Sequence, residues 1–343
     1  MKFFESKVHY EPLRPCRQMG TKERYEFTHG TNSVCVYDIE TLEFVKEIPV
    51  GERPDCHATS LDNKFLYIAC QDGLYCIDQD KLEVVKIFEL PHCYATNILP
   101  NGDLLVHDQA GGVVIIKDTM DMEKIHVYKH VQVIPNGKYR CEIGGKGNFI
   151  GEGRYYLCAG WRECRIYLFD TENDEFSFID FIDYDDVLSG GDDLVITSDK
   201  KKAYVACHKG WEERSHVAVI DIENRKIAKL IPTGVGTCGM TMTADERYAI
   251  CSNDSDDSIS VIDTLTDEVV NTPCARRGFE ALGITGYIQG ITAAQDDSIF
   301  VYGCKGNGAI VKFMDIINSN KYIISYEGGM YISEEDKVIK PDI

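Results

Sequence analysis

The sequence predicts an all-β fold built from repeated four-stranded units, and two observations support this prediction. First, runs of β-branched and aromatic residues lead to an aspartate that opens a tight turn, as in SVCVYDIETLEFVKEIPVGERP at 33–54. The segment SHVAVIDIENRKIAKLIPTGVG at 215–236 repeats this pattern closely. Second, a short strand, a polar turn and an apolar strand ending in small residues come before several copies, as in ATSLDNKFLYIAC at 58–70. Such self-similarity is typical of a repeat fold.

The two pieces together span about forty residues, which is the length expected of one blade of a β-propeller. Three strands at 24–50 and one strand at 330–336 remain after the complete units are counted. We therefore predict a seven-bladed β-propeller with four antiparallel strands per blade, closed into a ring by the C-terminal strand joining the N-terminal strands. Closure of this kind removes exposed sheet edges. The six complete units are expected at 56–90, 93–128, 140–183, 192–233, 238–273 and 288–328.

Length and composition indicate a single domain with a sizeable core. Hydrophobic residues make up 44% of the 343 residues, and repeat folds of this length often form one domain. We expect an N-terminal extension at 1–23, a propeller at 24–336 and a C-terminal tail at 337–343. The formal net charge of −20 disfavours nucleic acids and anionic membranes as partners, because both require a positive surface.

The N-terminus and the cysteines predict a cytoplasmic protein. Glu5, Lys7 and His9 interrupt the first residues before an apolar run of signal-peptide length, and no stretch of about 18 apolar residues follows. The fourteen cysteines are then expected to be reduced, because a disulfide framework is typical of small secreted chains.

Several runs match a known repeat family. They are Leu66-Tyr67-Ile68-Ala69, Tyr204-Val205-Ala206 and the segment VAVIDI at 217–222. With them, the chain resembles the YVTN-type β-propellers, whose repeats also occur in lactonase-like propellers. The resemblance implies the fold, but not one function, since similar propellers serve as lactonases, lyases, dehydrogenase subunits and binding platforms. Cys70 and Cys207 stand where the family usually has asparagine.

A ligand site is expected where loops converge over the central channel. The first strand of each blade lines the channel, and the loops between second and third strands lie at one face. Both tryptophans, Trp161 and Trp211, fall in such loops in matching contexts, Ala-Gly-Trp-Arg-Glu and Lys-Gly-Trp-Glu-Glu. Each could stack on a ligand or cap the interface between two blades, and the sequence leaves both alternatives open.

Arginines near these loops are candidates for binding an anion. The connection at 272–290 is the longest between blades and carries Arg276 and Arg277. Together with Arg53 and Arg140, they could hold a carboxylate or phosphate through paired donors. The alternative is that they lie in ordinary solvated turns. We therefore expect a small, anionic ligand, with a protein partner as the alternative.

The cysteine and histidine pairs do not predict a metal site. The hexapeptides PDCHAT at 54–59 and PHCYAT at 91–96 each place a cysteine next to a histidine or tyrosine at the start of a blade. Adjacent residues on a strand point to opposite faces, so Cys56 and His57 could hardly share one ion. The loop with Asp254, Asp256 and Asp257 lacks the closing glutamate of a calcium loop and predicts a solvated acidic turn. We therefore expect neither a metal nor a cofactor.

Acid–base catalysis at the channel face is the sharpest hypothesis for an enzyme. His57 and His208 are the expected catalytic histidines, with Asp193 orienting or charging an imidazole. Tyr94 and Gln289 are expected to hold an oxygen of the substrate. Opening of a lactone or an elimination would need such a set. The alternative is a non-catalytic propeller, which a flat exposed aromatic patch would favour, whereas a histidine beside a carboxylate in a pocket would favour the enzyme.

Overall fold

The structure is a computed structural model of the chain. It describes residues 25–90, 93–99, 101–108, 112–132, 143–150, 155–160, 165–170, 172–173, 175–180, 191–284, 286, 288–293, 299–303 and 308–333. All structural statements below concern these residues.

The described strands form seven antiparallel sheets, one of three strands, five of four strands and one of five. The three-stranded sheet contains β1 (Tyr25–His29), β2 (Ser33–Asp38) and β3 (Phe44–Pro49). We number the other six sheets as blades one to six. The strands of blades one to three are β4 (His57–Thr59), β5 (Phe65–Cys70), β6 (Gly73–Asp78), β7 (Glu83–Phe88), β8 (Cys93–Ile98), β9 (Leu104–Asp108), β10 (Gly112–Lys117), β11 (His126–Gln132), β12 (Ile143–Ile150), β13 (Tyr155–Gly160), β14 (Arg165–Asp170) and β15 (Glu175–Asp180).

Blades four to six complete the set, with one short helix between blades five and six. The α-helix α1 (Arg276–Leu282) has seven residues, and no described helix is long and apolar enough to cross a membrane. The strands of these blades are β16 (Gly191–Ile196), β17 (Lys202–Cys207), β18 (Arg214–Asp221), β19 (Lys226–Val235), β20 (Thr237–Met242), β21 (Tyr248–Asn253), β22 (Ser258–Asp263), β23 (Glu268–Asn271), β24 (Ile288–Ala293), β25 (Ile299–Gly303), β26 (Ile310–Met314), β27 (Lys321–Tyr326) and β28 (Gly329–Ile332).

The first strand of each blade lies innermost, as predicted. First strands of consecutive blades contact one another, from β4 and β8 through to β20 and β24. All six residues of β20 are buried, whereas β7 in blade one alternates between exposed and partly buried positions. Burial therefore decreases from the inner to the outer strands of a blade. Inner strands are covered on both faces by neighbouring blades, whereas outer strands face solvent.

An aspartate ends several of the third strands and organises the following turn. In blade one, the Asp78 carboxylate accepts hydrogen bonds from the backbone N–H groups of Asp80 and Lys81, both at 3.1 Å. Two residues beyond Asp80, Leu82 takes a left-handed conformation with φ of 52°. These hydrogen bonds satisfy backbone N–H groups of the turn, which explains why aspartate recurs at this position. The same arrangement follows Asp38, Asp221 and Asp263.

Tyrosines of the second strands hold neighbouring blades together. The Tyr204 hydroxyl of blade four donates to the Asp267 carboxylate of blade five at 2.6 Å, and Lys202 Nζ lies 2.8 Å from the same side chain. In the same way, Tyr67 of blade one donates to the Thr119 carbonyl oxygen after the third strand of blade two. The tyrosine of the repeat signature therefore links one blade to the next.

The predicted closure of the ring by a shared strand is not confirmed. The C-terminal strand β28 pairs with β27, from Ile323 opposite Ile332 to Tyr326 opposite Gly329. It is therefore the fifth strand of blade six and pairs with none of the N-terminal strands that the structure describes. A two-residue turn, Glu327-Gly328, lets the chain reverse at once, and such a hairpin costs far less chain entropy than pairing with residues about three hundred positions away. The structure thus has six complete blades, and the prediction of seven was wrong.

The three-stranded N-terminal sheet packs between blade six and blade one. On one side, the buried Tyr37 hydroxyl donates to the Gly308 carbonyl oxygen at 2.6 Å, and Thr28 Oγ1 donates to the Ala309 carbonyl oxygen at 3.2 Å. On the other side, Lys46 Nζ donates to the Leu82 carbonyl oxygen at 2.8 Å. Hydrogen bonds from side chains of this sheet to backbone carbonyl groups therefore join it to blade six and to blade one.

We predict that Tyr37→Phe destabilises the protein by about 1–3 kcal/mol, because it removes the donor to a buried carbonyl group. The measurement is the free energy of unfolding from denaturant titration. Tyr75→Phe is the matched control, since the Tyr75 hydroxyl donates to Asp72 at 3.0 Å in an exposed position, and its loss should cost less than about 0.5 kcal/mol. Equal destabilisation by the two variants would contradict the role of Tyr37.

Candidate functional site

A β-bulge recurs near the start of the innermost strands and shapes the loop face. In blade two, Cys93 and Ala95 pair with the consecutive residues Asp108 and His107, so Tyr94 has no partner opposite it. A bulge bends the strand and re-aims the extra side chain, and bulges are common beside binding sites. The corresponding extra residues are Asp192 in blade four, Gln289 in blade six and one residue of the pair Cys238 and Gly239 in blade five.

The bulge in blade five is fixed by its surroundings. Gly239 donates its N–H to Ser252 Oγ at 3.0 Å, and the N–H of Met240 donates to the Asp193 carboxylate of blade four at 2.7 Å. Gly236 precedes the bulge with φ of 72°, and a Cβ atom there would lie 1.9 Å from Asp254 Oδ1. Both constraints require glycine at this position.

Three side chains converge beside this bulge: His208 from the β17–β18 loop, Cys238 from the start of β20, and Asp254 from the β21–β22 loop. Their ligand atoms all lie within 4.8 Å of one another. The Cys238 thiol donates to Asp254 Oδ2 at 3.1 Å, and His208 Nε2 lies 3.8 Å from the same oxygen. Asp254 Oδ1 accepts a hydrogen bond from Ser255 Oγ at 2.8 Å.

This cluster is buried on the protein side. The side chain of Asp254 is fully buried and that of His208 is 15% exposed. Burial, followed by the charges of Asp192 and Asp254, raises the pKa of the Cys238 thiol well above its usual value. The thiol is therefore protonated near neutral pH, which argues against Cys238 as a nucleophile, because only the thiolate attacks.

An aromatic ring covers the outer side of the cluster. The rings of His208 and Trp211 pack edge to face with centroids 4.8 Å apart, and Trp211 is 54% exposed. On the opposite side of the imidazole, Nδ1 accepts the N–H of Gly210 at 3.2 Å. In this arrangement the imidazole proton is on Nε2 and faces the Asp254 carboxylate.

In the acidic loop at 254–257, Asp254 and Asp257 are buried whereas the two residues between them are partly exposed, so the prediction of a solvated turn was wrong for these two aspartates. The loop is held by the preceding interblade connection, since the N–H of Asp254 donates to the Gly236 carbonyl at 3.0 Å and the N–H of Val235 donates to the Asp256 carboxylate at 2.9 Å. The helix α1 adds Arg276, which donates to the Ser255 carbonyl at 3.1 Å and lies 3.6 Å from the Asp257 carboxylate.

The predicted catalytic residues lie at separate places. His208 belongs to the cluster described above. Asp193 accepts hydrogen bonds from the N–H groups of Leu194 at 2.8 Å and Met240 at 2.7 Å, so its carboxylate links blades four and five. His57 is 1% exposed and pairs with Ile68 in blade one, which is not adjacent to blade four. The structure therefore brings together neither His57 and His208 nor His57 and Asp193.

The predicted substrate-binding residues divide in the same way. Trp211 and Arg276 lie at the two loops around the cluster, and Arg277 follows on α1 with an exposed side chain. Gln289 is the bulged residue of blade six, and its carbonyl group accepts a hydrogen bond from Ser252 Oγ. Arg53 is exposed between the N-terminal sheet and blade one. Arg140, Trp161 and the side chain of Tyr94 lie outside the described residues.

Sequence reasoning missed two members of the cluster. Cys238 stood out only as a residue that opens a strand, and Asp254 only as part of an acidic turn. No motif joins them, because the three residues come from three separate segments of two blades. Three other cysteines, at equivalent positions near the ends of second strands, pack in the core instead. Cys70, Cys207 and Cys251 are buried, and burial raises the pKa of the Cys70 thiol to about 12.

Comparison with known proteins supports the architecture. No known family profile matches the chain, and neither does any curated protein. A Kuenenia stuttgartiensis hydrazine synthase structure is similar with a TM-score of 0.66 and 14% identity, over 91% of this chain and 99% of that chain. The β-propeller domain of Cps50 (Swd1) from Myceliophteria thermophila is similar with a TM-score of 0.60 and 12% identity, over 84% of this chain and 93% of that chain. The chain is a β-propeller. At these identities the likeness shows the fold alone.

We predict that Asp257→Asn stabilises the protein at neutral pH. Burial raises the pKa of the Asp257 carboxyl group to about 6, although Arg276 opposes the shift. The folded protein therefore binds the proton more tightly than the unfolded chain, so stability falls as pH rises from about 4 through 6. Asparagine removes this penalty and also tolerates the left-handed conformation at residue 257, where φ is 56°.

The expected gain is about 1–2 kcal/mol at pH 7.5, and it should vanish near pH 4, where Asp257 is protonated in both states. The measurement is the free energy of unfolding as a function of pH. Asp118→Asn is the control, because Asp118 has the same left-handed backbone, with φ of 57°, and a side chain that is 52% exposed. A gain that is the same at both pH values would show that burial of charge is not its cause.

Proposed function

We propose that this propeller binds a small anionic molecule at the loop face of blades four and five and acts on it as a lactonase-like hydrolase or as a lyase. One observation carries the proposal: His208 Nε2 lies 3.8 Å from a fully buried carboxylate, next to an indole ring that is half exposed. A histidine beside a carboxylate in a partly buried place is the usual setting for acid–base chemistry. Membership of the lactonase-like propellers and a cytoplasmic location belong to the same proposal.

The surroundings of His208 suit a small anion. The exposed Trp211 ring offers a flat apolar surface at low cost in side-chain entropy. Arg276, whose side chain is 48% exposed, supplies a cation from α1 and contacts the loop that carries Asp254. A guanidinium group can hold a carboxylate through two parallel hydrogen bonds. A ligand that places its apolar part on Trp211 and its carboxylate toward Arg276 would bring its reactive centre near His208.

The proposed reactions both need a base at this point. Opening of a lactone requires that a water molecule lose a proton as it attacks the carbonyl carbon. Elimination requires removal of a proton from the carbon next to a carboxylate. We place this base at the His208–Asp254 pair, because the imidazole lies beside a buried carboxylate that can orient it.

A non-catalytic propeller is the second candidate, and the exposure of Trp211 favours it. A large exposed aromatic side chain at a loop face is typical of a surface that binds a partner or a metabolite. In that case the Trp211 ring would be needed for binding, and the wild-type protein would show no turnover that depends on His208.

We predict that His208→Asn lowers turnover of a responsive substrate at least about 100-fold, the lower end of what general acid–base groups contribute. The assay screens lactones, small anionic esters and hydroxy acids with the purified wild-type protein and then compares variants on any substrate that responds. His126→Asn is the matched control, because His126 Nδ1 also lies near an aspartate, 3.7 Å from Asp118, but its side chain is 55% exposed on β11. Its turnover should be unchanged.

The outcomes separate the two candidates. Loss of turnover in His208→Asn with normal activity in His126→Asn supports the enzyme. Ligand binding that depends on Trp211 but without turnover by the wild-type protein overturns the enzyme and supports the binding protein. Equal activity of the two histidine variants removes His208 from the reaction.

A further inference from the structure

We propose that His208, Cys238 and Asp254 form a binding site for a zinc-like divalent metal ion with one open coordination position. The three side chains come from two loops and one strand of adjacent blades, and their ligand atoms all lie within 4.8 Å of one another. His, Cys and Asp are all zinc ligands, and three protein ligands with a fourth position open for water or substrate is the arrangement of catalytic zinc sites.

Two of the three distances between ligand atoms are close to those of a tetrahedral zinc site. Zinc bonds of about 2.0–2.3 Å at tetrahedral angles place ligand atoms roughly 3.3–3.8 Å apart. Here Cys238 Sγ lies 3.1 Å from Asp254 Oδ2, and His208 Nε2 lies 3.8 Å from that oxygen. The ligand atoms of His208 and Cys238 lie within 4.8 Å of each other, so an ion between the three atoms would require shifts of up to about 1 Å.

The types of ligand select the class of metal. Thiolate and imidazole ligands prefer zinc and similar transition metals, whereas calcium and magnesium prefer oxygen ligands alone. The buried sulfur of Cys238 therefore disfavours calcium, which the acidic residues of the neighbouring loop would otherwise suggest. A cation would also offset the concentration of negative charge that Asp192 and Asp254 create around the thiol.

The site is built by its surroundings. Cys238 lies in the bulge of β20 and is 2% exposed, and Asp254 is 1% exposed. Gly236 leaves the space that the Asp254 carboxylate occupies. His208 Nε2 is buried and makes no hydrogen bond within the described part of the chain. Three ligating groups are thus held in place before any ion binds, which lowers the cost of binding.

Binding requires that the Cys238 thiol release the proton it shares with Asp254, and it requires one local change at His208. An imidazole that coordinates through Nε2 carries its proton on Nδ1, and this nitrogen at present accepts the N–H of Gly210 at 3.2 Å. The peptide of Gly210 would have to turn away. Gly210 has φ of 126°, and no atom lies within 4 Å of a Cβ built there, so the loop has room for this rotation.

With the ion bound, His208 and Asp254 would be its ligands, so the base of the proposed reaction would be the metal-bound water instead of the imidazole; this step rests on the proposed function. A zinc-bound water loses a proton near neutral pH. The resulting hydroxide would add to the lactone carbonyl carbon, the ring C–O bond would break, and the ring oxygen would take up a proton. Lactone and water are then converted to the hydroxy acid.

Metal binding is tested without any substrate. Chelator-treated protein is titrated with Co²⁺, followed by its absorption spectrum, and the bound ion is then displaced with Zn²⁺. We expect one Co²⁺ per chain and a sulfur-to-cobalt charge-transfer band. Cys238→Ser should abolish the band, and His208→Ala should weaken binding by more than the roughly 10–100-fold that loss of an outer ligand contact causes.

Cys251→Ser is the matched control, because Cys251 is a fully buried thiol in the same blade, and it should keep the band. His208→Ala, which truncates a partly exposed loop residue, keeps the test valid if Cys238→Ser fails to fold. Absence of the band in wild-type protein, or the same band in Cys238→Ser, overturns the metal site. Normal Co²⁺ binding with no turnover of any lactone or ester would overturn the proposed function and leave the metal site standing.

Discussion

The fold depends on burying both faces of every sheet against neighbouring sheets. A four-stranded sheet with two apolar faces has no stable form alone, so each blade needs a blade on either side. Side-chain hydrogen bonds fix the spacing, and the tyrosine of the second strand is the recurring donor, as in Tyr67 to Thr119 and Tyr204 to Asp267. This requirement also explains the three-stranded N-terminal sheet, because two covered faces matter more than a complete set of strands.

The same packing creates the candidate site. The first strands of consecutive blades contact one another, and several of them bulge near the loop face. The bulge of blade five presents Cys238 to Asp254 of its own blade and to His208 of blade four. The Asp193 carboxylate crosses from blade four to the N–H of Met240 and holds the two bulges in register. The site is therefore a product of the contact between blades, and neither blade contains it alone.

Local signals made much of the fold predictable. The aspartate turns and the alternating apolar strands depend on residues within a few positions of one another, so the predicted units coincide with the observed blades within a few residues. The pairing partner of β28 was not predictable in that way, because a hairpin at Glu327-Gly328 competes with pairing to the distant N-terminal strands. Of the site, His208 and Trp211 could be found from their loop. The burial of Asp254 could not, since it depends on the backbone of Gly236 in another connection.

The way in which the N-terminal sheet meets blade six has a mechanical consequence. No described strand is shared across this boundary, and the contacts that join it include the bonds from Tyr37 and Thr28 to the backbone at 308–309. Parting two surfaces that are joined by side chains breaks fewer bonds than unzipping a strand from a sheet. At this boundary the two sheets are therefore joined by side-chain contacts and not by a shared strand. Separation at this boundary would leave the contacts between blades four and five, and with them the geometry around His208, in place.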